Sequence, residues 1–476
     1  MSPRVQLAVL LLLAVPQFYF LPKSIVDLAL TTIVAMLLLA DRLYRLWLVP
    51  RRPLESWWLL GVLIGLLVIR IVALAWSPTP RDGLQPAALV VQFIVTLIVA
   101  TAALREDPKL LTYVQRFFWP FVGVEAVLVV FFRLVPDVEH AFLRSIGGFF
   151  AGQKTAAALF ADGPNNVLDP TKAGGVFVNA NVAAMFLGVS GLAALALFAV
   201  TRTRWVAAIG ILALVATLFT GSKLAKLLAF VLPIFAIGTY YLTSPAIPKK
   251  RRYLIFGALA VAFLAVFGVI AADAGLRDQM IEAFVGRTAI WGFGAESFQD
   301  NPILGLGYGG WDGGMREYAA THGIYRALPP HNILLAAWSV TGIVGLLLTV
   351  AYFGVLIWLV LRNLSVKSSL NRGFVAFAGA AIAWIVIHGM GENTDIFGEI
   401  HLIPVLALLL AFLSQPIEQE AAGNASPAQS RYRATSAVPP VGNVHREPGD
   451  GPAQFPPPVR GEGPGDPAWG RLGQRR

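Results

Sequence analysis

Pro329-Pro330-His331-Asn332, followed after nine residues by Gly342-Ile343-Val344-Gly345-Leu346, is the stretch whose residue types and spacing carry the most chemistry. Prolines suit the entry to a helix, so His331 is expected at a helix N-terminus. The positive end of the helix dipole disfavours imidazolium there and leaves a neutral ring able to accept a proton. The plainer alternative is a histidine that only caps the helix and hydrogen-bonds a neighbouring loop. Gly342 and Gly345 are spaced to let another helix approach closely one to two turns deeper.

Arg287, Arg277 and Lys223 are the cations expected on the same side of the molecule as His331. Fixed cations of this kind stabilise a developing anion electrostatically without a divalent metal. The nearby acidic residues, Asp162, Asp169, Glu282, Glu296 and Asp300, are scattered and form no evident metal cluster. For Arg287 the competing assignment is a salt bridge to Glu282 or Glu296. Arg70 and Glu125 fall inside hydrophobic runs, are costly in lipid, and must face the bundle interior. They either pair with each other or, for Arg70, line a cavity for a lipid phosphate. His388 and Glu392, beside Asn393 and Asp395, could help orient a reacting group, but read first as solvent-wetted groups at a helix end. Asn179 and Asn181 read first as N-caps, and His322 as a surface residue. With no cysteines in the chain, disulfides, thiolate metal sites and cysteine nucleophiles are excluded.

The elements that position these residues must be membrane helices. Of the 476 residues, 57% are hydrophobic and 13% charged, whereas soluble domains carry about 25% charged residues. Runs long enough to cross the hydrocarbon number about twelve, at 5–20, 25–40, 57–76, 86–104, 117–135, 178–200, 205–220, 224–242, 253–272, 332–361, 373–390 and 400–414. The first has no convincing cleavage site and reads as retained. Lipid leaves unpaired backbone groups without partners, so the fold class is an all-α polytopic bundle. The net charge of +10 resides in short loops rather than in a nucleic-acid surface. Clusters such as Arg42, Arg45, Arg51 and Arg52, or Lys249 through Arg252, mark alternate loops as cytoplasmic. Both termini are then cytoplasmic, and loops 136–177 and 273–331 are expected to face outward.

Loop 136–177 is expected to hold a short interfacial helix near 141–150. Loop 273–331, rich in Trp291, Phe293, Phe298, Tyr308 and Trp311, is expected to form an ordered cap containing short helices. The membrane domain is placed at 1–414. Residues 415–476, rich in Pro, Gly, Ala and Arg, read as a disordered cytoplasmic tail.

The pattern at 331–346 resembles the signature of the O-antigen ligase and O-antigen polymerase superfamily of bacterial membrane glycosyltransferases. Three further stretches are similar to that family: Gly174-Gly175-Val176-Phe177-Val178-Asn179-Ala180-Asn181; Thr220-Gly221-Ser222-Lys223; and Gly286-Arg287 through Trp291 to Asn301-Pro302-Ile303-Leu304-Gly305-Leu306-Gly307. The resemblance covers roughly the second half of the membrane domain. It implies a GT-C-like fold and a metal-independent, inverting transfer with no cofactor. The donor would be an undecaprenyl-diphosphate-linked glycan and the acceptor a hydroxyl of lipid A-core or another glycan, at the outer face of the bacterial inner membrane. His331 carries over as the group that activates the hydroxyl and Arg287 as a diphosphate ligand; Lys223, Arg277, Arg70, Asn332 and Asn181 are the substrate-binding candidates. The family has arginine where this chain has Lys223, which keeps the charge but loses the bidentate fork. A ligase is favoured over an O-antigen or exopolysaccharide polymerase. A transporter of polysaccharide or lipid-linked sugar is the alternative from another class, but its functional groups would concentrate near the bilayer midplane.

Overall fold

The computed structural model describes residues 2–14, 29–48, 57–106, 110–147, 150, 169, 171–244, 247–248, 250–258, 261, 268, 274–324, 327–365 and 371–415. Its helices are α1 (Pro3–Ala14), α2 (Leu30–Leu48), α3 (Trp57–Val72), α4 (Leu84–Glu106), α5 (Leu110–Leu134), α6 (Pro136–Ser145), α7 (Ala180–Thr201), α8 (Arg204–Ala216), α9 (Lys223–Thr243), α10 (Ala274–Asp300), α11 (Gly310–Thr321), α12 (Ile333–Leu364), α13 (Arg372–Gly389) and α14 (Ile403–Leu413). Among the described residues, seven helical stretches are long and apolar enough to cross a membrane, beginning at Trp57, Pro80, Arg116, Ala180, Lys223, Ile333 and Arg372. Shorter apolar helices lie at Pro3–Ala14, Leu30–Asp41, Arg204–Phe219 and Ile400–Leu413. The expected span 253–272 and the tail 416–476 fall largely or wholly outside the described residues.

α7 is the central helix and is buried over most of its length, because its small residues admit close neighbours. A Cβ on Gly188 would collide with the Trp384 ring of α13, and one on Gly191 would stand 2.9 Å from the Gly210 carbonyl of α8. Trp119, Trp338, Trp384 and Tyr352 are among the largest fully buried side chains, and Phe93 stacks on Phe397 with ring centroids 4.4 Å apart.

The structure corrects several expectations outside the spans. The helix expected near 141–150 begins at Pro136, because proline at its first position and Asp137 and Glu139 in its first turn suit a helix N-terminus. The segment from 274 holds a helix of 27 residues rather than only short ones. Its aromatic content does order it: Ile290, Phe293, Trp311 and Met315 form a small core between α10 and α11, with Phe293 edge-on to Trp311 at 4.8 Å.

Gly342 departs furthest from expectation. It has φ 67° and ψ −162° in the middle of α12 and breaks the helix rather than smoothing a helix contact. A Cβ there would collide with the Ile303 carbonyl. The gap instead receives the turn backbone of the 301–307 stretch: Ile343 N donates to Ile303 O (3.2 Å) and Leu306 N to Ser339 O (2.6 Å). The same loop is sewn to the segment that follows α3, where Thr79 N donates to Tyr308 O (3.0 Å) and Tyr308 N to Ser77 Oγ (2.8 Å).

Candidate active site

Five chain segments converge on the loop that follows α13. Asn332 is the N-cap of α12: its Oδ1 accepts from Leu334 N (2.9 Å) and Leu335 N (3.1 Å), and its Nδ2 donates to Met390 O (3.4 Å). His331 therefore precedes the cap by one residue, with φ 45°, in the left-handed region that few non-glycine residues occupy. Arg287 of α10 donates through Nη2 to the Gly391 carbonyl and stands 3.7 Å from Glu392 Oε1. His331 Nδ1 stands 3.8 Å from Glu392 Oε2, and Asn181 Nδ2 donates to the same oxygen (3.2 Å).

Glu392 is thus the common neighbour of a base candidate just before α12, a cation on α10 and an amide on α7. Its carboxyl is raised above the ordinary value by burial, against the opposing pull of Arg287 and Lys172. The His331 ring is pushed below 6.5, first by burial and then by the Arg287 charge. It is accordingly neutral near pH 7, and its Nδ1 is buried with no hydrogen-bond partner. A neutral imidazole beside a carboxylate and a guanidinium can take a proton and hold the resulting cation next to negative charge.

The remaining candidates fall in distinct places. Asn181 extends beyond the capping expected of it, which Asn179 performs by accepting from Asn181 N (2.9 Å). Lys223 is exposed at the first position of α9. The Arg277 side chain lies outside the described residues. Arg70 does not pair with Glu125. It forms a bidentate pair with Asp395 (3.0 and 3.2 Å) and donates to Pro86 O (2.9 Å). Glu125 instead accepts from Val176 N (3.1 Å), while Glu139 accepts from Gly174 N (2.8 Å). Two carboxylates thereby hold the Gly174-Gly175 turn, and Gly175 at φ 57° leaves no room for a Cβ against Glu125. Among the described side chains Arg287 pairs with Glu392, while the Glu282 side chain named as its alternative partner lies outside the described residues.

A cavity of about 250 Å³ adjoins this cluster, lined in part by Arg70, Tyr308, Ile333, Val340, Asn393 and Asp395. Its polar groups lie around the Arg70–Asp395 pair, and aliphatic side chains of α3 and α12 form its walls. Sequence reasoning missed Glu392 as the organising residue. Its position three residues past the end of α13 was the available signal, since a carboxylate beside a membrane span needs a partner.

The fold and site define a multi-pass helical membrane protein with imidazole, guanidinium and carboxylate gathered at one end of its bundle. Residues 173–350 match the family model described as O-antigen ligase. That match is a likeness to the O-antigen ligase family over this segment of the chain. No curated protein matches the chain. The matched segment contains Asn181, Lys223, Arg287, His331 and the Gly342 break; Arg70 and Glu392 lie outside it.

Proposed function

We propose that the protein transfers a glycan from undecaprenyl diphosphate to an acceptor hydroxyl, on lipid A-core or a related glycan, at the periplasmic face of a bacterial inner membrane. The observation that carries this reading is the meeting of His331 and Arg287 at Glu392, which brings a base candidate and a cation from separate segments of the chain to one point. About twelve spans with both termini cytoplasmic would put that end of the bundle outside.

In the proposed step the acceptor oxygen forms a bond to the anomeric carbon while the bond from that carbon to the diphosphate oxygen breaks. The electron pair leaves with the diphosphate, and the acceptor proton passes to His331. Arg287 meets the growing negative charge on the leaving group, where a fixed cation in a partly buried site is most effective. The Glu392 carboxyl stabilises the imidazolium. Attack from the face opposite the leaving group makes the transfer inverting, and these groups perform it without a metal ion.

Purified protein, polyprenyl-diphosphate glycan and candidate acceptors, assayed with and without a chelator, test this reading. Product in both arms is expected. Loss of product with chelator would overturn the metal-independent step, and movement of lipid-linked sugar across a bilayer with no glycosidic bond formed would overturn the enzyme. In a deletion strain, a ligase leaves free lipid-linked polymer, whereas single-repeat species would make the protein a polymerase.

A further inference from the structure

Residues 294–308 run down the first part of α12 and come back. A Cβ on Gly294 would stand 3.0 Å from Leu335 Cδ1, Phe298 packs on Trp338 with ring centroids 5.2 Å apart, and Ile303 O receives Ile343 N. The residue numbers rise together on the two segments, so the end of α10 follows α12 in the same direction as far as the Gly342 break. The chain then turns, and Leu306 N donates to Ser339 O (2.6 Å) on the way back. It leaves beside the end of the α3 stretch, where a Cβ on Gly307 would stand 3.2 Å from Trp76 Cδ1.

The depth of the turn follows from α12. With 32 residues this helix is about 48 Å long, against about 30 Å of hydrocarbon, so part of it stands outside. The Arg362 guanidinium lies 5.4 Å from the Trp358 ring centre, an interfacial pairing that marks the far boundary. Gly342 is about 24 Å from Trp358 along the axis. The break, and the Ile303-Leu304 tip bound to it, therefore fall inside the hydrocarbon, near its boundary on the side of His331. Backbone carried to that depth needs its polar groups satisfied. Asn301 O accepts from Gly305 N (3.1 Å) and Ile303 O from Ile343 N (3.2 Å), Pro302 O accepts from Trp338 Nε1 (3.3 Å), and Pro302 has no N–H to satisfy. The side chains at the tip are apolar and point outward: Ile303 is 68% and Leu304 53% exposed, continuous with the exposed Val344 and Leu347 of α12. On α10, Trp291 and Phe298 share one exposed face, and Glu296 and Asp300 lie on the opposite one.

We infer that the 301–306 turn is a re-entrant element seated in the lipid leaflet on the side of His331, with Ile303 and Leu304 against acyl chains. The partner is the bilayer itself. Because α10 carries Arg287 and runs directly into this turn, lipid contact holds that cation at a set height above the membrane. The inference stands on the membrane spans and does not depend on glycan transfer.

The chain has no cysteine, so single labels can be placed at will. Ile303→Cys, Leu304→Cys, Thr321→Cys and Leu347→Cys in the full-length protein, each carrying a nitroxide, are compared in phosphatidylcholine–phosphatidylglycerol liposomes. Electron paramagnetic resonance reads their accessibility to oxygen, which concentrates in lipid, and to a nickel chelate, which stays in water. Thr321, exposed on α11, is the water reference, and Leu347, exposed on α12, the lipid reference. The oxygen-to-nickel ratio at 303 and 304 should match that at 347 and exceed that at 321. A ratio like that at 321 overturns the inference, and so does low access to both reagents, which would put the turn in a protein contact. Bimane on the same cysteines gives a second reading with lipids brominated on the acyl chain. Quenching at 303 and 304 but not at 321 is expected, and no quenching at the tip overturns the seating.

Discussion

His331 occupies left-handed backbone space at φ 45°, a conformation that costs of order 1 kcal/mol or more and persists where the surroundings determine it. Pro329 and Pro330 before it, and the Asn332 cap after it, are those surroundings. The depressed basicity of its ring gives a pH prediction. A group held below 6.5 stays neutral at pH 7, so transfer should be fully developed at neutral pH and fall as pH drops through the folded value. The midpoint of the acid limb of kcat/KM is predicted below 6.5, and a midpoint above it would mean that another group is titrating. Glu392→Gln keeps the shape but removes the charge that faces both His331 and Arg287. It should lower kcat by roughly tenfold to a hundredfold, and an unchanged kcat would remove Glu392 from the chemistry. The motif around His331 was legible in the sequence because proline, histidine and glycine are adjacent in the chain. Glu392 was not, since its neighbours Asn181, Arg287 and His331 are each separated from it by at least one helix.

At the level of elements, the Gly342 break makes α12 a two-part helix that clasps the 303–306 backbone. Gly342→Ala would force a side chain into left-handed space and against the Ile303 carbonyl. It should destabilise the protein by about 1–3 kcal/mol, read as a lowered unfolding temperature in detergent. Gly354→Ala in the same helix meets nothing within 4 Å and should change stability by less than about 1 kcal/mol. Equal effects at the two positions would contradict the clasp. Sequence spacing correctly marked Gly342 as a place of close approach. It suggested another helix because glycine pairs in apolar runs usually admit one; the partner is a loop whose backbone bonds replace those missing at the break. The seven long apolar spans were similarly legible from hydropathy, whereas the start of α6 depended on a proline at its first position.

Across the whole molecule, the Arg70–Asp395 pair ties α3 to the loop that carries Glu392, with side-chain exposures of 13% and 22%. Removing one partner of a largely buried pair leaves an uncompensated charge. Arg70→Ala is therefore predicted to lower stability by about 3 kcal/mol, and a variant as stable as the wild type would contradict this tie. The pairing was not readable beforehand because 325 residues separate the two side chains, and Glu125 offered a nearer carboxylate in a similarly costly position. What the sequence did convey at this scale was the sidedness: polar groups concentrated in the stretches between spans, at the end where α7, α9 and α12 begin and α13 finishes. The most direct measurement is the single-turnover rate of glycan transfer from a polyprenyl-diphosphate donor by purified wild-type protein and by His331→Ala, in proteoliposomes. Transfer by the wild type and a loss of at least about a hundredfold in the variant is predicted; an equal rate in the two proteins would contradict the assignment of His331 as the proton acceptor.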